Sequence, residues 1–166
     1  MSGPAINLIL LLGGFVAMEC VAYYSHKYVM HGFMWCWHES HHLPRLGVFE
    51  KNDLFAVMFA LPSIVLIYFG TSGYPRLLWV GIGIALYGLA YFVFHDVIVH
   101  RRIRTGYRPK GGYMRRIVQA HWIHHSVRTR EDAVSFGFLY SQPVEKLKAE
   151  RKQQRRAAAT AHADRR

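Results

Sequence analysis

Three long apolar runs constrain the fold of this chain more than any other feature of its sequence. They extend from Ala5 to Tyr24, from Leu54 to Gly70 and from Leu77 to Phe94, and Glu19 is the only charged residue within them. Each run approaches the roughly 20 apolar residues that a helix needs to cross the hydrocarbon core of a bilayer. The runs therefore predict an all-α integral membrane protein with about three spanning helices.

The distribution of basic residues predicts how these helices are oriented. The hexapeptide TSGYPR joins the second and third runs in a tight turn, and Arg76 is the only basic residue at its tip. The other 20 Lys and Arg lie between Ala22 and Lys51 or beyond Phe94. Because cytoplasmic segments carry the excess of Lys and Arg, we expect the N-terminus outside and the C-terminus in the cytoplasm.

The composition of the chain predicts one domain and a tail. Residues 1–144 are expected to form a single membrane domain, and residues 145–166 are a basic, Ala-rich tail that would be either a surface helix or a disordered end. The stretch VSFGFLYSQPV before the tail is too short to span a bilayer. We expect it to lie in the interface or to form a fourth membrane-associated element.

Ten of the 11 histidines fall in four clusters, and the two halves of the chain repeat the same order. Each half supplies a pair spaced by five residues and then a triplet of the form HxxHH. The clusters are His26 and His31; His38, His41 and His42; His95 and His100; and His121, His124 and His125. All four lie at or just beyond the predicted cytoplasmic ends of the helices. We therefore expect them to converge on one site.

The spacing within the clusters suits metal ligation. In HESHH and HWIHH the first histidine lies beside the other two on one helical face. The pairs fit less simply, because five residues turn an α-helix by about 140°. His26 and His31 would clasp an ion from two sides, or serve two adjacent ions, or sit where the helix is distorted.

The number of histidines predicts two ions. So many imidazoles near a bilayer are costly unless they are paired or ligated. Ten candidates exceed the roughly four to six positions around one ion, which argues for two ions, with some of the histidines open to a role in supporting the ligands. Imidazole binds zinc, copper, iron and nickel, so ligand type alone does not select the metal. Closed zinc sites often include cysteine, whereas Cys20 and Cys36 do not form a ligand pair at such a spacing.

The motifs HKYVMH, HESHH, HDVIVH and HWIHH, in this order, resemble the histidine signature of the membrane fatty acid hydroxylase superfamily. The segments FEKNDLFAVMFA, HDVIVHRR, AHWIHH and VSFGFLY resemble the bacterial β-carotene 3-hydroxylases within it. The resemblance extends from about Ala22 to Tyr140. It implies an enzyme of the bacterial cell membrane, with two non-haem iron ions held by the ten histidines.

The same resemblance implies the reaction. O2 and two external electrons would hydroxylate C3 and C3′ of β-ionone rings, so that β-carotene becomes β-cryptoxanthin and then zeaxanthin. Keto-carotenoids would also be accepted on the way to astaxanthin. The electrons would come from reduced ferredoxin and its reductase, and the basic segment from Arg101 to Arg130 would steer such an acidic donor.

Some residues near the motifs have candidate supporting roles. Asp96 and Glu39, each next to a motif histidine, are candidates to hold ligand N–H groups or to offset metal charge. Asn52 or Asp53 is expected to cap the second spanning helix. Gly81 and Gly83 begin a GxG pattern, but Leu86 stands where the third glycine of a nucleotide fingerprint would be. We therefore interpret these two glycines as helix-packing residues.

Two alternatives to a carotenoid hydroxylase remain at the level of sequence. A fatty-acid or sterol hydroxylase, or a desaturase, would use the same metal core. A membrane haem protein or metal transporter would also place histidines near helix ends, but a transporter would carry polar residues deep within its spans. Nucleic-acid binding is disfavoured because the basic residues flank membrane runs and histidine motifs.

Overall fold

The computed structural model describes residues 3–45 and 47–163, and the fold in these ranges is helical. Two α-helices pass directly into π-helical segments. The elements are α1 (Gly3–Tyr24) with π1 (Ser25–Phe33), α2 (Trp35–His42), α3 (Asp53–Thr71), α4 (Pro75–Tyr91) with π2 (Phe92–Val99), α5 (Gly112–His124) and α6 (Val144–Ala163). The described ranges contain no β-strand. The all-α prediction is confirmed.

Three helical stretches of the described chain are long and apolar enough to cross a membrane, as the sequence predicted. They are Gly3–Phe33, Asp53–Thr71 and Pro75–Val99. The first and third contain 31 and 25 residues, more than the roughly 20 that the hydrocarbon core requires. The additional turns are the π-helical ones, so the histidine pairs lie at one end of each long helix.

Glycines allow α4 to pack closely against both α1 and α3. A Cβ atom on Gly14 of α1 would lie 2.8 Å from the carbonyl oxygen of Val80, and a Cβ atom on Gly83 would collide with the Leu11 carbonyl. Toward α3, the Ser63 hydroxyl donates a 2.8 Å hydrogen bond to the Gly81 carbonyl. Small residues permit such close backbone approach between helices in lipid. The packing role predicted for Gly81 and Gly83 is confirmed.

The stretch that follows α5 folds back against the spanning helices without forming a fourth span. Here Glu19 of α1 accepts hydrogen bonds from the backbone N–H groups of Phe138, Leu139 and Tyr140, at 2.9, 2.9 and 3.1 Å. The Tyr87 hydroxyl donates to the other carboxylate oxygen at 2.8 Å. The one charged residue of the apolar runs is therefore satisfied by four hydrogen bonds.

The tail takes the first of the two forms left open by its sequence, because residues 144–163 form α6. Leu147 is fully buried, in a small core with Ala120 of α5 and Val134. The start of the tail therefore packs against the helix that carries the last histidine motif. The domain boundary at residue 145 stays a prediction, and residues 164–166 lie outside the described ranges.

Adjacent glycines of α1 offer a test of the helix packing. Gly14→Leu should destabilise the protein by about 1–3 kcal/mol, the usual cost of overpacking, because the new side chain must displace the backbone of α4. A Cβ atom on Gly13 meets nothing within 4 Å, so Gly13→Leu should change stability by less than about 0.5 kcal/mol. Unfolding titrations in detergent measure both; equal effects would contradict the packing described here.

Candidate metal centre

The π-helical segments place histidines spaced by five residues side by side. A π-helical hydrogen bond joins residue i to residue i+5, and at the end of π2 the His100 N–H donates to the His95 carbonyl at 2.9 Å. The ring centroids are 4.5 Å apart for His95 and His100 and 5.3 Å apart for His26 and His31. Of the three arrangements compatible with the sequence, the structure has the distorted helix.

All ten motif histidines lie in one continuous cluster, made of two groups and one adjoining ring. Group one has five members with one ring nitrogen each within 4.8 Å of the others: His26, His31, His38, His42 and His124. Group two has four members of the same kind: His41, His100, His121 and His125. His95 adjoins group two, because its Nε2 lies 3.0 Å from Nε2 of His41. The groups touch through His42 and His125, whose ring centroids are 4.5 Å apart.

In group one, every Nδ1 atom faces an oxygen atom. His38 Nδ1 lies 2.7 Å from Asn52 Oδ1. The other four partners are backbone carbonyls of one loop, residues 127–136: Phe136 for His26 at 3.1 Å, Arg130 for His31 at 2.9 Å, Val127 for His42 at 2.7 Å and Val134 for His124 at 3.0 Å. A carbonyl oxygen only accepts, so each ring proton lies on Nδ1 and each Nε2 carries a lone pair.

The Nε2 lone pairs of group one consequently face one another. Nε2 of His38 lies 3.1 Å from that of His26 and 3.2 Å from that of His42, and the same atoms of His31 and His124 are 3.2 Å apart. Two unprotonated nitrogens repel and cannot form a hydrogen bond. A cation among them removes the repulsion, and neutral imidazole is a common ligand of first-row metals. The donor set therefore fits a metal ion.

Carboxylates, and not carbonyls, face the Nδ1 atoms of His41 in group two and of the adjoining His95. Glu50 Oε2 lies 3.2 Å from Nδ1 of His41, and Asp96 Oδ2 lies 3.4 Å from Nδ1 of His95. The Arg102 guanidinium holds both carboxylates, at 2.9 Å from Asp96 and 3.6 Å from Glu50. A carboxylate on the second ring nitrogen fixes the orientation of a ligating imidazole and raises its basicity.

Other members of group two also fit ligation. Nε2 of His100 lies 2.9 Å from Nε2 of His121. Nε2 of His125 is buried and has no hydrogen-bond partner among the described residues. A buried, unpartnered ring nitrogen is costly unless something binds it. The donor set around this group thus fits a second ion next to the first.

The structure places the two predicted supporting carboxylates differently. Asp96 is buried and contacts both His95 and Arg102. Glu39 is exposed, and within residues 3–45 and 47–163 it forms neither a hydrogen bond nor an ion pair. Its predicted role near the metal site stays a prediction without a contact to support it.

Sequence reasoning missed two partners of the motif histidines, Glu50 and Asn52. Asn52 was expected to cap a helix, but its side chain makes no cap hydrogen bond and instead accepts from His38. The Asp53 carboxylate accepts a hydrogen bond from the nearby Glu50 N–H at 2.9 Å and pairs with the distant Arg102 at 2.6 Å. The only sequence signal for either partner was proximity to HESHH.

Burial keeps the imidazoles of the cluster neutral. It lowers the pKa of His42 and of His100 to about 4. Burial, followed by repulsion from neighbouring imidazoles, holds the pKa values of His41, His121 and His124 well below the ordinary value. Burial raises the pKa of Glu50, and Arg102 opposes that rise. Neutral rings are the ligand-competent form, so protons compete little with a metal ion near pH 7.

An apolar cavity of about 480 Å³ reaches the histidines from the membrane side. The cavity is lined by side chains of α1, α3 and α4, such as Met18, Phe59 and Ile84. Its polar end contains histidines of both groups and the adjoining ring: His26, His38, His121 and His95. The volume is in the range of small-molecule sites, about 300–1,000 Å³. An apolar molecule in this cavity would meet both candidate metal positions.

Three spanning helices and a histidine cluster that could hold metal define the class: an all-helical membrane protein with a candidate metal centre at one end of its spans. The chain belongs to the fatty acid hydroxylase family, whose model matches residues 11–144. This match confirms the resemblance seen in the four motifs.

Within this family, the chain is similar to proteins named beta-carotene hydroxylase. The chain is 48% identical over 158 residues to the beta-carotene hydroxylase of Pantoea ananas, covering 95% of this chain and 90% of that protein. It is 49% identical over 144 residues to the beta-carotene hydroxylase of Pseudescherichia vulneris, covering 87% and 82%. It is 46% identical over 129 residues to a chloroplastic beta-carotene 3-hydroxylase of Haematococcus lacustris, covering 72% and 39%. No solved structure matches the chain.

Asn52 allows a test of whether the hydrogen bonds made by the Nδ1 atoms of the histidines support metal binding. Asn52→Leu removes the acceptor from His38 at similar volume, so metal affinity should fall by about 10- to 100-fold, as is usual for such contacts. Asn52→Asp keeps an acceptor and should retain metal. Metal released from purified protein during a chelator titration measures both. Equal retention in the Leu variant would show that the contact does not support ligation.

Proposed function

We propose that this chain is a membrane enzyme that hydroxylates C3 and C3′ of carotenoid β-ionone rings, converting β-carotene through β-cryptoxanthin into zeaxanthin. The relatives named beta-carotene hydroxylase support the substrate, and the name 3-hydroxylase supports the position on the ring. The observation that carries the proposal is the apolar cavity that ends at histidines of both groups. Keto-carotenoids on the way to astaxanthin are included in the proposed substrates.

The proposed cofactor is a pair of non-haem iron ions. Group one would hold one ion, and group two together with His95 would hold the other. The iron pair, when bound, supplies the oxidising power that an unactivated C–H bond demands. In the balanced reaction, one ring C–H, O2, two electrons and two protons give one C–OH and one water.

The protein's own part is to bind, orient and exclude water. Apolar side chains along α3, including Ala60, Ile64 and Ile67, line the cavity at helical spacing, so a polyene can lie along the helix with its ring at the histidines. Tyr91 stacks on His95 with ring centroids 4.4 Å apart, which closes the cavity beside group two. Both ends of β-carotene carry the same ring, so a second binding event accounts for the second hydroxylation.

The electrons are proposed to come from a reduced ferredoxin-type protein and its reductase. The loop that follows His100 exposes basic side chains: Arg101, Arg104, Arg108 and Lys110. A positive surface directly after a histidine of group two would attract an acidic donor and shorten the path of an electron. The same charge supports a bacterial cell-membrane topology with the histidines and the C-terminus inside and the N-terminus outside.

Pigment analysis tests the substrate. Expression of this chain in bacteria that produce β-carotene, together with a ferredoxin system, should yield pigments with one and then two additional oxygen atoms, retained as hydroxyl groups at C3 and C3′. Mass spectrometry and NMR of the extracted pigments measure this. Unchanged β-carotene, with the protein verified in the membrane, would refute the proposed substrate and direct the search to other apolar lipids.

Single histidine variants test the iron site. His38→Ala or His124→Ala should reduce turnover by about 100-fold or more and should lower the iron bound per chain, because each removes one nitrogen from group one. Membrane insertion should be intact, since neither residue belongs to a spanning stretch. His162→Ala, which alters the one histidine outside the four motifs, is the matched control. Full activity with full iron in either variant would remove that histidine from the ligand set.

A further inference from the structure

A second pocket, of about 530 Å³, reaches group one from the aqueous side. Its lining includes His31 and the charged residues Lys27, Arg130, Glu131 and Asp132. The side chains of Arg130 and Glu131 are 53% and 64% exposed. We call this space the water-facing pocket. Group one therefore lies between an apolar cavity and a polar pocket that is open to water.

Phe136 lies between these two spaces. Among the described residues, it is the one side chain that lines both. Its ring centroid is 5.4 Å from that of His31 and 5.5 Å from those of His26 and His124, so its edges cover three rings of group one. Lys27 Nζ lies 5.9 Å from the same ring. One side of the Phe136 ring therefore faces a charged group and the water-facing pocket.

The backbone around Phe136 is fixed from two directions. The Phe136 carbonyl accepts from Nδ1 of His26. The backbone N–H groups of residues 138–140 donate hydrogen bonds to the Glu19 carboxylate. A Cβ atom on Gly137 would collide with the Tyr140 carbonyl, so this turn requires glycine there. A carboxylate within an apolar span is costly unless it is fully bonded. Glu19 is thus committed to residues 136–140, which we call the sealing turn.

We propose that the sealing turn keeps the apolar cavity dry, with Phe136 as the barrier to the water-facing pocket and Glu19 as the positioning residue that holds the barrier in place. The consequence for turnover rests on the proposed function. With the barrier closed, reduction of O2 ends in a C–OH group. With it open, water enters the cavity, and O2 that has received two electrons and two protons leaves as hydrogen peroxide.

Coupling of O2 consumption to product formation is the first measurement. The assay contains iron-loaded protein, ferredoxin, its reductase, NADPH and β-carotene. In Phe136→Ala, the ratio of product formed to O2 consumed should fall by about tenfold, and hydrogen peroxide should account for the remaining O2. Iron content should be unchanged, because no ligand is removed. Phe136→Leu should restore most of the coupling. Phe69→Ala is the matched control, because it makes the same change near the end of α3 that lies away from the histidines.

Glu19 variants test whether this residue holds Phe136 in place through its hydrogen bonds or only fills space beside the sealing turn. Glu19→Leu removes the acceptor for three N–H groups and should lose coupling as Phe136→Ala does. Glu19→Gln keeps an amide oxygen in the same place and should rescue coupling. Cys20→Ala, at the neighbouring exposed position of α1, is the control. Equal losses in Glu19→Gln and Glu19→Leu at full iron content would overturn the positioning role.

A labelling experiment tests the barrier without turnover. Ala22 lines the apolar cavity, and Ala22→Cys in a Cys20→Ala, Cys36→Ala background provides a reporter thiol. A charged thiol reagent should label it about tenfold faster when Phe136→Ala is added. Unchanged labelling, or unchanged coupling in Phe136→Ala, refutes the barrier. Faster labelling in a protein that does not hydroxylate β-carotene would support the barrier while refuting the proposed function.

Discussion

The position of one proton on each imidazole is the constraint on which this site depends. In group one, oxygen acceptors hold that proton on Nδ1 in all five rings, so the Nε2 lone pairs converge. Convergence is unfavourable without a cation and favourable with one. Because four of the acceptors are carbonyls of loop 127–136, the loop, the tautomers and the metal site stabilise each other. Metal binding should therefore be coupled to folding of this loop, as in other sites that assemble with their ion.

Both π-helical segments occur at the ends of long apolar helices. Within lipid, a helix must satisfy its own backbone, and α1 and α4 do so with regular turns across the apolar runs. Each changes to π-helical hydrogen bonding close to the end of its apolar run, one residue before His26 and three residues before His95. Such turns are often found at functional sites. Here they bring residues five apart to one side, so each half of the chain can supply a pair and a triplet to the same cluster.

Hydropathy and spacing were enough to predict the three spans and the ten candidate ligands, because both depend on local sequence. Of the partners of the second ring nitrogens, only Asp96 was expected from its place next to His95, and the others were not predictable in the same way. Four of them are backbone carbonyls, which any residue type supplies, and their positions depend on how loop 127–136 folds over the cluster. Asn52 was interpreted as a cap because it precedes a helix, yet tertiary proximity to His38 decides its contact. The π-helical turns were only one of three options, since a period of 3.6 residues does not select them.

The two groups would place bound ions in different electrostatic environments. Group one is surrounded by carbonyl and amide oxygens, which are neutral dipoles. Beside group two, the carboxylates of Glu50, Asp53 and Asp96 outnumber the guanidinium groups of Arg45 and Arg102, so an ion held there would have a net negative charge next to it. That charge would favour the more oxidised state of such an ion relative to one held in group one. The histidine pairs and triplets repeat along the chain, but the groups they form are chemically unequal, and the apolar cavity ends against both of them.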